Sequence, residues 1–221
     1  MEGMLKQEKG NSQDFQQMLA NGKPKMTEKE KFEVEKTLSD FEKEEREFRL
    51  REVNTAIVEN IGIHYLRNFD EKKIRLKNEL DERIDEMLKA KKGLILFGDV
   101  GVGKTMDLVY IFRRICEHNQ KIPISYYFMP ELFKRLHQGE EIKLKEFVML
   151  DDWGREYAEP FALSQFESLI EKIYSKEKVL IITTNLTKEQ FINRDGWRRV
   201  VDRVREMCSI LEIPGDSMRH K

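Results

Sequence analysis

Residues 98–105 read Gly98-Asp99-Val100-Gly101-Val102-Gly103-Lys104-Thr105, the full GxxxxGK[ST] pattern. A glycine-rich turn between a strand and a helix aims successive backbone N–H groups at one point, where a phosphate is held with no side chain in the way. Lys104 is placed to reach the β- and γ-phosphates, and the Thr105 hydroxyl to complete the coordination of Mg²⁺. Gly98, Gly101 and Gly103 allow the turn and the close approach of backbone to ligand. ATP or ADP with Mg²⁺ is the expected ligand, and Gly98 to Met106 the expected binding segment.

Two more polar clusters stand at the ends of apolar runs. Phe147-Val148-Met149-Leu150 ends in Asp151-Asp152, and Val179-Leu180-Ile181-Ile182 ends in Thr183-Thr184-Asn185. Carboxylates at the C-terminal end of a parallel strand beside a phosphate loop suit a magnesium held through water and a polarised attacking water. Asp151 is the expected metal residue and Asp152 the expected water-polarising group, with a plain helix cap as the alternative for the pair. Asn185 is the candidate for orienting water and sensing the γ-phosphate, against a strand-end Asx turn.

These groups need a scaffold that brings several strand ends together. Leu94–Phe97, Phe147–Leu150 and Val179–Ile182 read as buried strands, Ile124–Phe128 and Ser209–Ile213 as two more, and helical stretches such as Met106–His118 and Leu163–Tyr174 separate the five. That alternation predicts an α/β fold: a P-loop core with a five-stranded parallel sheet covered by helices on both faces.

The segment upstream differs in character, with 18 basic and 21 acidic side chains in residues 1–90 and little strand-like sequence. Residues 1–26 read as a mobile arm, rich in turn formers. Thr27 and Glu30 have capping-box spacing, opening a helix that runs to about Arg51 or beyond and carries Phe32, Leu38, Phe41, Phe48 and Leu50. Such a thin apolar stripe suits either a solvated linker or protein docking. A mixed patch over 54–69 precedes a second helix from about Asp70 to Lys89, which Gly93 is expected to close. The expected organisation is a helical partner-binding region at 1–60, a helical linker at 61–92 and the ATPase core at 93–221.

Composition narrows the class. The 221 residues carry 40 Lys+Arg against 41 Asp+Glu with 39% hydrophobic residues, which excludes general disorder and a uniformly basic surface while leaving local basic patches open. Cys116 and Cys208 with four scattered histidines form no zinc-finger spacing. No run approaches the ~18 apolar residues of a membrane span, and the charged start has no signal-peptide core, so a cytoplasmic protein with no membrane contact is expected.

Over residues 93 to 219 the motifs resemble the small AAA+ ATPases of the bacterial helicase-loader group, DnaC-like and DnaI-like proteins, together with the transposition helper IstB. Asp151-Asp152-Trp153-Gly154 resembles the family's Walker B segment and Ile182-Thr183-Thr184-Asn185-Leu186 its sensor-1 strand. Asp202-Arg203-Val204 is similar to the segment whose arginine acts on ATP of the adjacent subunit, which implies Arg203 as arginine finger with Arg205 as alternate. Gly215-Asp216-Ser217-Met218-Arg219 resembles the closing GxSxR signature and implies a nucleotide-facing role for Arg219. With the chain ending two residues later, no C-terminal lid domain is expected.

The resemblance implies single-stranded DNA as a ligand, with Tyr127 and Phe133 as stacking rings and Lys134, Arg135, Lys143 and Lys145 as backbone contacts. Glutamates interleaved with those lysines leave a solvated helix face as the alternative. The leading functional expectation is an ATP-dependent loader that grips the hexameric replicative helicase through its N-terminal helices and acts on single-stranded DNA. A homo-oligomer or partner ATPase would receive the arginine in trans, so hydrolysis by the isolated chain should be slow. An IstB-like transposition helper and a nucleotide-regulated scaffold with little turnover are the alternatives.

Overall fold

The computed structural model describes residues 27–119, 121–154 and 160–218. The reading of residues 1–26 as an arm lies outside them. The chain divides into two compact units, one ending at Arg51 and the other beginning at Glu52. Helix α1 (Glu28–Asn60) runs across that division. In the first unit it is charged and open to solvent, and Leu38, Phe41 and Phe48 are exposed. At 100° per residue these three project from one face. In the second unit its end is anchored by Val53, Ala56 and Ile57, all buried.

A short helix α2 (Ile63–Arg67) and a single 3₁₀ turn (Glu71–Lys73) lead to α3 (Lys77–Ala90). The second helix therefore starts seven residues later than the expected Asp70. Asp70 captures the Lys72 N–H with its own side chain at 3.1 Å, closing a local turn, and buried Ile74 then adopts extended backbone. The helix also ends otherwise than expected: Lys91, at φ 53°, is its left-handed C-cap. Gly93 opens a strand, where a Cβ would come within 2.3 Å of the Leu180 carbonyl oxygen.

The remaining elements are β1 (Gly93–Phe97), α4 (Lys104–Glu117), β2 (Ile124–Phe128), α5 (Met129–His137), β3 (Phe147–Trp153), α6 (Pro160–Ser175), β4 (Val179–Thr184), α7 (Lys188–Ile192), α8 (Arg198–Met207) and β5 (Cys208–Glu212). All strands are parallel, in the order β2-β3-β4-β1-β5. The continuous apolar runs follow from a sheet buried on both faces. Leu94, Leu96, Met149 and Ile181 share a core with α3 and α4, whereas Ile95, Val148, Leu150, Leu180 and Ile182 join one with α5, α6 and α8. Chain order reverses across the sheet, because the connection from β1 passes β4 and β3 to reach β2. The C-terminal ends of β1, β3 and β4 border that switch point, where open α/β sheets bind ligands.

Candidate nucleotide site

The turn after β1 carries Gly101 at φ 88° and Gly103 at φ 110°, both left-handed, and Gly103 is the N-cap of α4. Lys104 begins that helix and is only 7% exposed. Its Nζ donates to Gly98 O at 2.7 Å, Asp99 O at 2.9 Å and Asn185 Oδ1 at 2.6 Å. Burial lowers its pKa, and the charges of Asp152 and Asp151 oppose that shift. The ammonium thus rests on exchangeable oxygens, which phosphate oxygens can replace without a new desolvation cost.

Asn185 joins the three strand ends. Its Oδ1 accepts from Lys104, and its Nδ2 donates to Asp152 Oδ1. Lysine has only donors and carboxylate only acceptors, so this arrangement settles the amide's orientation.

Asp151 is 5% exposed, and three hydroxyls donate to it. Tyr126 OH reaches Oδ2 at 2.8 Å, Thr105 Oγ1 reaches the same oxygen at 3.3 Å, and Thr183 Oγ1 donates to Oδ1. The Asp152 N–H donates to Thr183 Oγ1 at 2.8 Å, which directs the threonine proton to Asp151. Burial pushes the Asp151 carboxyl above its usual range, against the hydrogen bonds from Thr183 and Tyr126. Burial and the neighbouring Asp151 charge also push Tyr126 up, so it stays a protonated donor. A desolvated carboxylate beside the Thr105 hydroxyl is an all-oxygen donor pair that fits Mg²⁺.

A β-bulge separates the two aspartates. Leu150 pairs with Ile182 and Trp153 with Thr184, with the register shift between them, and Asp152 sits at φ 63°. Under strict alternation Asp152 would follow Val148 and Leu150 into the core under α5, α6 and α8. The extra residue puts Trp153 there instead, 1% exposed against Phe166, Phe191 and Trp197. Asp152 is thereby freed to face Asn185 and Lys104.

These residues line a cleft of about 900 Å³. It is also lined by Ile61, His64 and Asn68, from the mixed patch, and by Lys73, from the stretch expected to begin the second helix. Tyr126 and Asp107 had no motif to mark them, and Thr183, which stood in the quoted polar cluster, gains the role of relay between Asp152 and Asp151. Asp107 is 4% exposed with Oδ2 unpartnered, and burial lifts its pKa to about 7 against the charges of Lys104 and Arg75.

The other sequence candidates lie elsewhere. Arg203 bonds Glu171 at 3.3 Å and Glu206 at 3.4 Å and sits over the Tyr174 ring. Arg205 is exposed and makes no hydrogen bond or ion pair among the described residues. Arg219 lies outside the described residues. Of the DNA candidates, Phe133 is corrected: it is 3% exposed and packs on Phe166 and Trp197, because it falls on the buried face of α5. Tyr127 donates to Lys143 O and receives Arg135 over its ring, while Arg135 also bonds Glu140 at 2.8 Å. Lys134 and Lys143 are exposed, and Lys145 Nζ reaches Ile122 O at 3.2 Å.

Residues 26–221 match the family model of the IstB-like ATP binding protein. The chain belongs to that family. No curated protein sequence matches it. Among solved structures it is similar to the DnaC helicase loader, at 26% identity over 62% of this chain and 90% of that one, with a TM-score of 0.52. DnaI is similar at 20% identity over 69% and 91% of the respective chains, TM-score 0.56. DnaA of Aquifex aeolicus with AMPPCP bound is similar at 18% identity over 69% and 49%, TM-score 0.52. The last two likenesses speak to the fold alone. IstB-like membership accords with the P-loop AAA+ architecture seen here. Among the described residues, no helix is long and apolar enough to cross a membrane.

Proposed function

We propose that the protein is an ATP-switched adaptor that loads a replicative helicase onto single-stranded DNA. The observation that carries the ATPase part is the Lys104–Asn185–Asp152 chain, which joins the phosphate loop to two other strand ends. In this reading the loop N–H groups and Lys104 would bind the phosphates of ATP, and Thr105 and Asp151 would hold Mg²⁺. The metal supplies charge neutralisation at the transferred phosphoryl group. Asp152 accepts a proton from the attacking water, and Asn185 orients that water while reading whether a γ-phosphate is present. An arginine of a neighbouring subunit, Arg203 or Arg205, offsets the charge that develops.

The adaptor part rests on α1, whose exposed phenylalanines on a charged helix suit a protein partner. The likeness to the DnaC helicase loader favours a helicase as that partner. Lys134, Arg135, Lys143 and Lys145 with Tyr127 remain the proposed DNA contacts. The IstB-like family match favours a second reading, a helper that acts on target DNA for a transposase. Two measurements separate them. Stoichiometric capture of a hexameric replicative helicase, lost in Phe41→Ser/Phe48→Ser, supports loading. ATP-dependent duplex binding that stimulates a transposase, with no helicase capture, supports the second. Nucleotide affinity undiminished in Lys104→Ala removes the site on which both depend.

A further inference from the structure

Beyond β5 the chain continues across the nucleotide site. Ile213 N–H donates to Phe97 O at 2.7 Å, which extends the β1–β5 pairing up to the phosphate loop. Ser217 then packs on Gly101, where a Cβ would stand 2.2 Å from Ser217 Oγ. Met218 N–H donates to Gly101 O at 2.9 Å, and its Cε lies 3.0 Å from where a Gly103 Cβ would be. The loop glycines thus leave room for a protein segment as well as for phosphate.

One side chain, 139 residues away in sequence, holds this segment. Arg75 Nη1 donates to Pro214 O at 2.5 Å, and Nη2 donates to Asp216 O at 2.7 Å. The two carbonyls flank Gly215, whose φ of 105° turns both toward the guanidinium. A Cβ on Gly215 would lie 2.2 Å from Nη1, so the turn is shaped around the arginine fork. The charge of Arg75 also acts on the buried carboxyl of Asp107, one helical turn beyond Lys104.

We propose that Arg75 is a positioning residue of the nucleotide site: by clamping the carbonyls of Pro214 and Asp216 it docks residues 213–218 on Gly101 and Gly103 and holds the phosphate loop in its binding shape. The inference rests on the reading of that loop as an ATP site. A lysine cannot reproduce it, because a single ammonium has no planar fork to span two carbonyls.

The test compares full-length wild type with Arg75→Ala, Arg75→Lys, Gly215→Ala and Lys104→Ala. Gly215→Ala keeps the arginine and denies it the turn. In nucleotide-free protein, hydrogen exchange at the Met218 amide should accelerate about tenfold or more in Arg75→Ala and Gly215→Ala, and less in Arg75→Lys. It should stay slow in Lys104→Ala. Fluorescent ADP should bind about tenfold more weakly to the first two variants, with KM for ATP raised and kcat at saturation within about twofold of wild type. Unchanged Met218 exchange in both Arg75→Ala and Gly215→Ala overturns the clamp. So does unchanged nucleotide affinity in Arg75→Ala when Lys104→Ala has lost it, or a matched fall of kcat and melting temperature with KM constant. Equal nucleotide affinity in wild type and Lys104→Ala instead refutes the ATP reading, while the exchange result still judges the clamp.

Discussion

Lys104, Asn185 and Asp152 form one chain of charge-assisted hydrogen bonds, so removing the middle member leaves both neighbours without a shared partner. Asn185→Ala should weaken ATP binding only modestly, since the loop N–H groups and Lys104 remain, but should cut hydrolysis by about 10²-fold or more. Single-turnover rates at saturating ATP read this directly, and a variant that hydrolyses like wild type removes Asn185 from the reaction. Asp152 makes a sharper case. Its left-handed backbone is tolerated by Asn as well as by Asp, so Asp152→Asn should melt within a few degrees of wild type. Its hydrolysis should nevertheless fall by about 10²- to 10⁴-fold with nucleotide affinity retained. Loss of the fold instead would mean that the carboxylate serves the bulge, not the water. The loop was legible from its fixed spacing, and the two carboxylates from their place at the end of an apolar strand run. Tyr126 was not, since a tyrosine in an apolar strand reads as core until its hydroxyl is seen on Asp151.

At the scale of elements, α4 must hold Lys104 and Thr105 at the sheet's end, and α3 braces it. Asp81 of α3 accepts from Tyr110 OH at 2.6 Å and Arg114 Nε at 3.2 Å, both on α4, and from Lys77 at 3.4 Å. Burial tends to raise the Asp81 pKa, but the hydrogen bonds from Tyr110, Lys77 and Arg114 outweigh it and the net shift is downward. A depressed carboxylate pKa contributes stability that is present above the ordinary carboxylate range and lost as pH falls through the folded value. Asp81→Asn should therefore cost about 1–2 kcal/mol at pH 7, and the difference from wild type should shrink below about pH 4. Paired urea melts at pH 7 and pH 3.5 measure it, and a pH-independent gap would assign the loss to packing alone. The three central strands β1, β3 and β4 announced themselves through unbroken apolar runs, but the start of α3 did not, because Asp70 diverts the chain into a turn that helical periodicity cannot register. Nor does an unbroken apolar run betray a bulge, which became visible only once Trp153 paired with Thr184.

For the whole molecule, the position of α8 restricts where its arginines can act. Arg205 stands three residues before Cys208, which pairs with Gly93 at the N-terminal edge of β1. The phosphate loop begins at the opposite edge, after Phe97, so the five-residue strand puts roughly 15 Å of sheet between them. Arg205 cannot serve the phosphates of its own chain, whereas a head-to-tail neighbour would carry it toward the next nucleotide. Arg203 could reach the same interface only by leaving Glu171, Glu206 and the Tyr174 ring. Under the proposed mechanism the free Arg205 is therefore the better finger, and Arg203 the residue that shapes the face around it. Arg205→Ala should bind ATP like wild type and lose most hydrolysis, and Lys104→Ala should be inert through its own site. Mixed in equal amounts under assembling conditions, the two should recover activity, because one supplies an intact loop and the other an intact arginine. Random mixing makes about a quarter of the interfaces competent. Recovery approaching that fraction places the arginine in trans, and a mixture as inactive as its components rules out Arg205 as a finger supplied in trans.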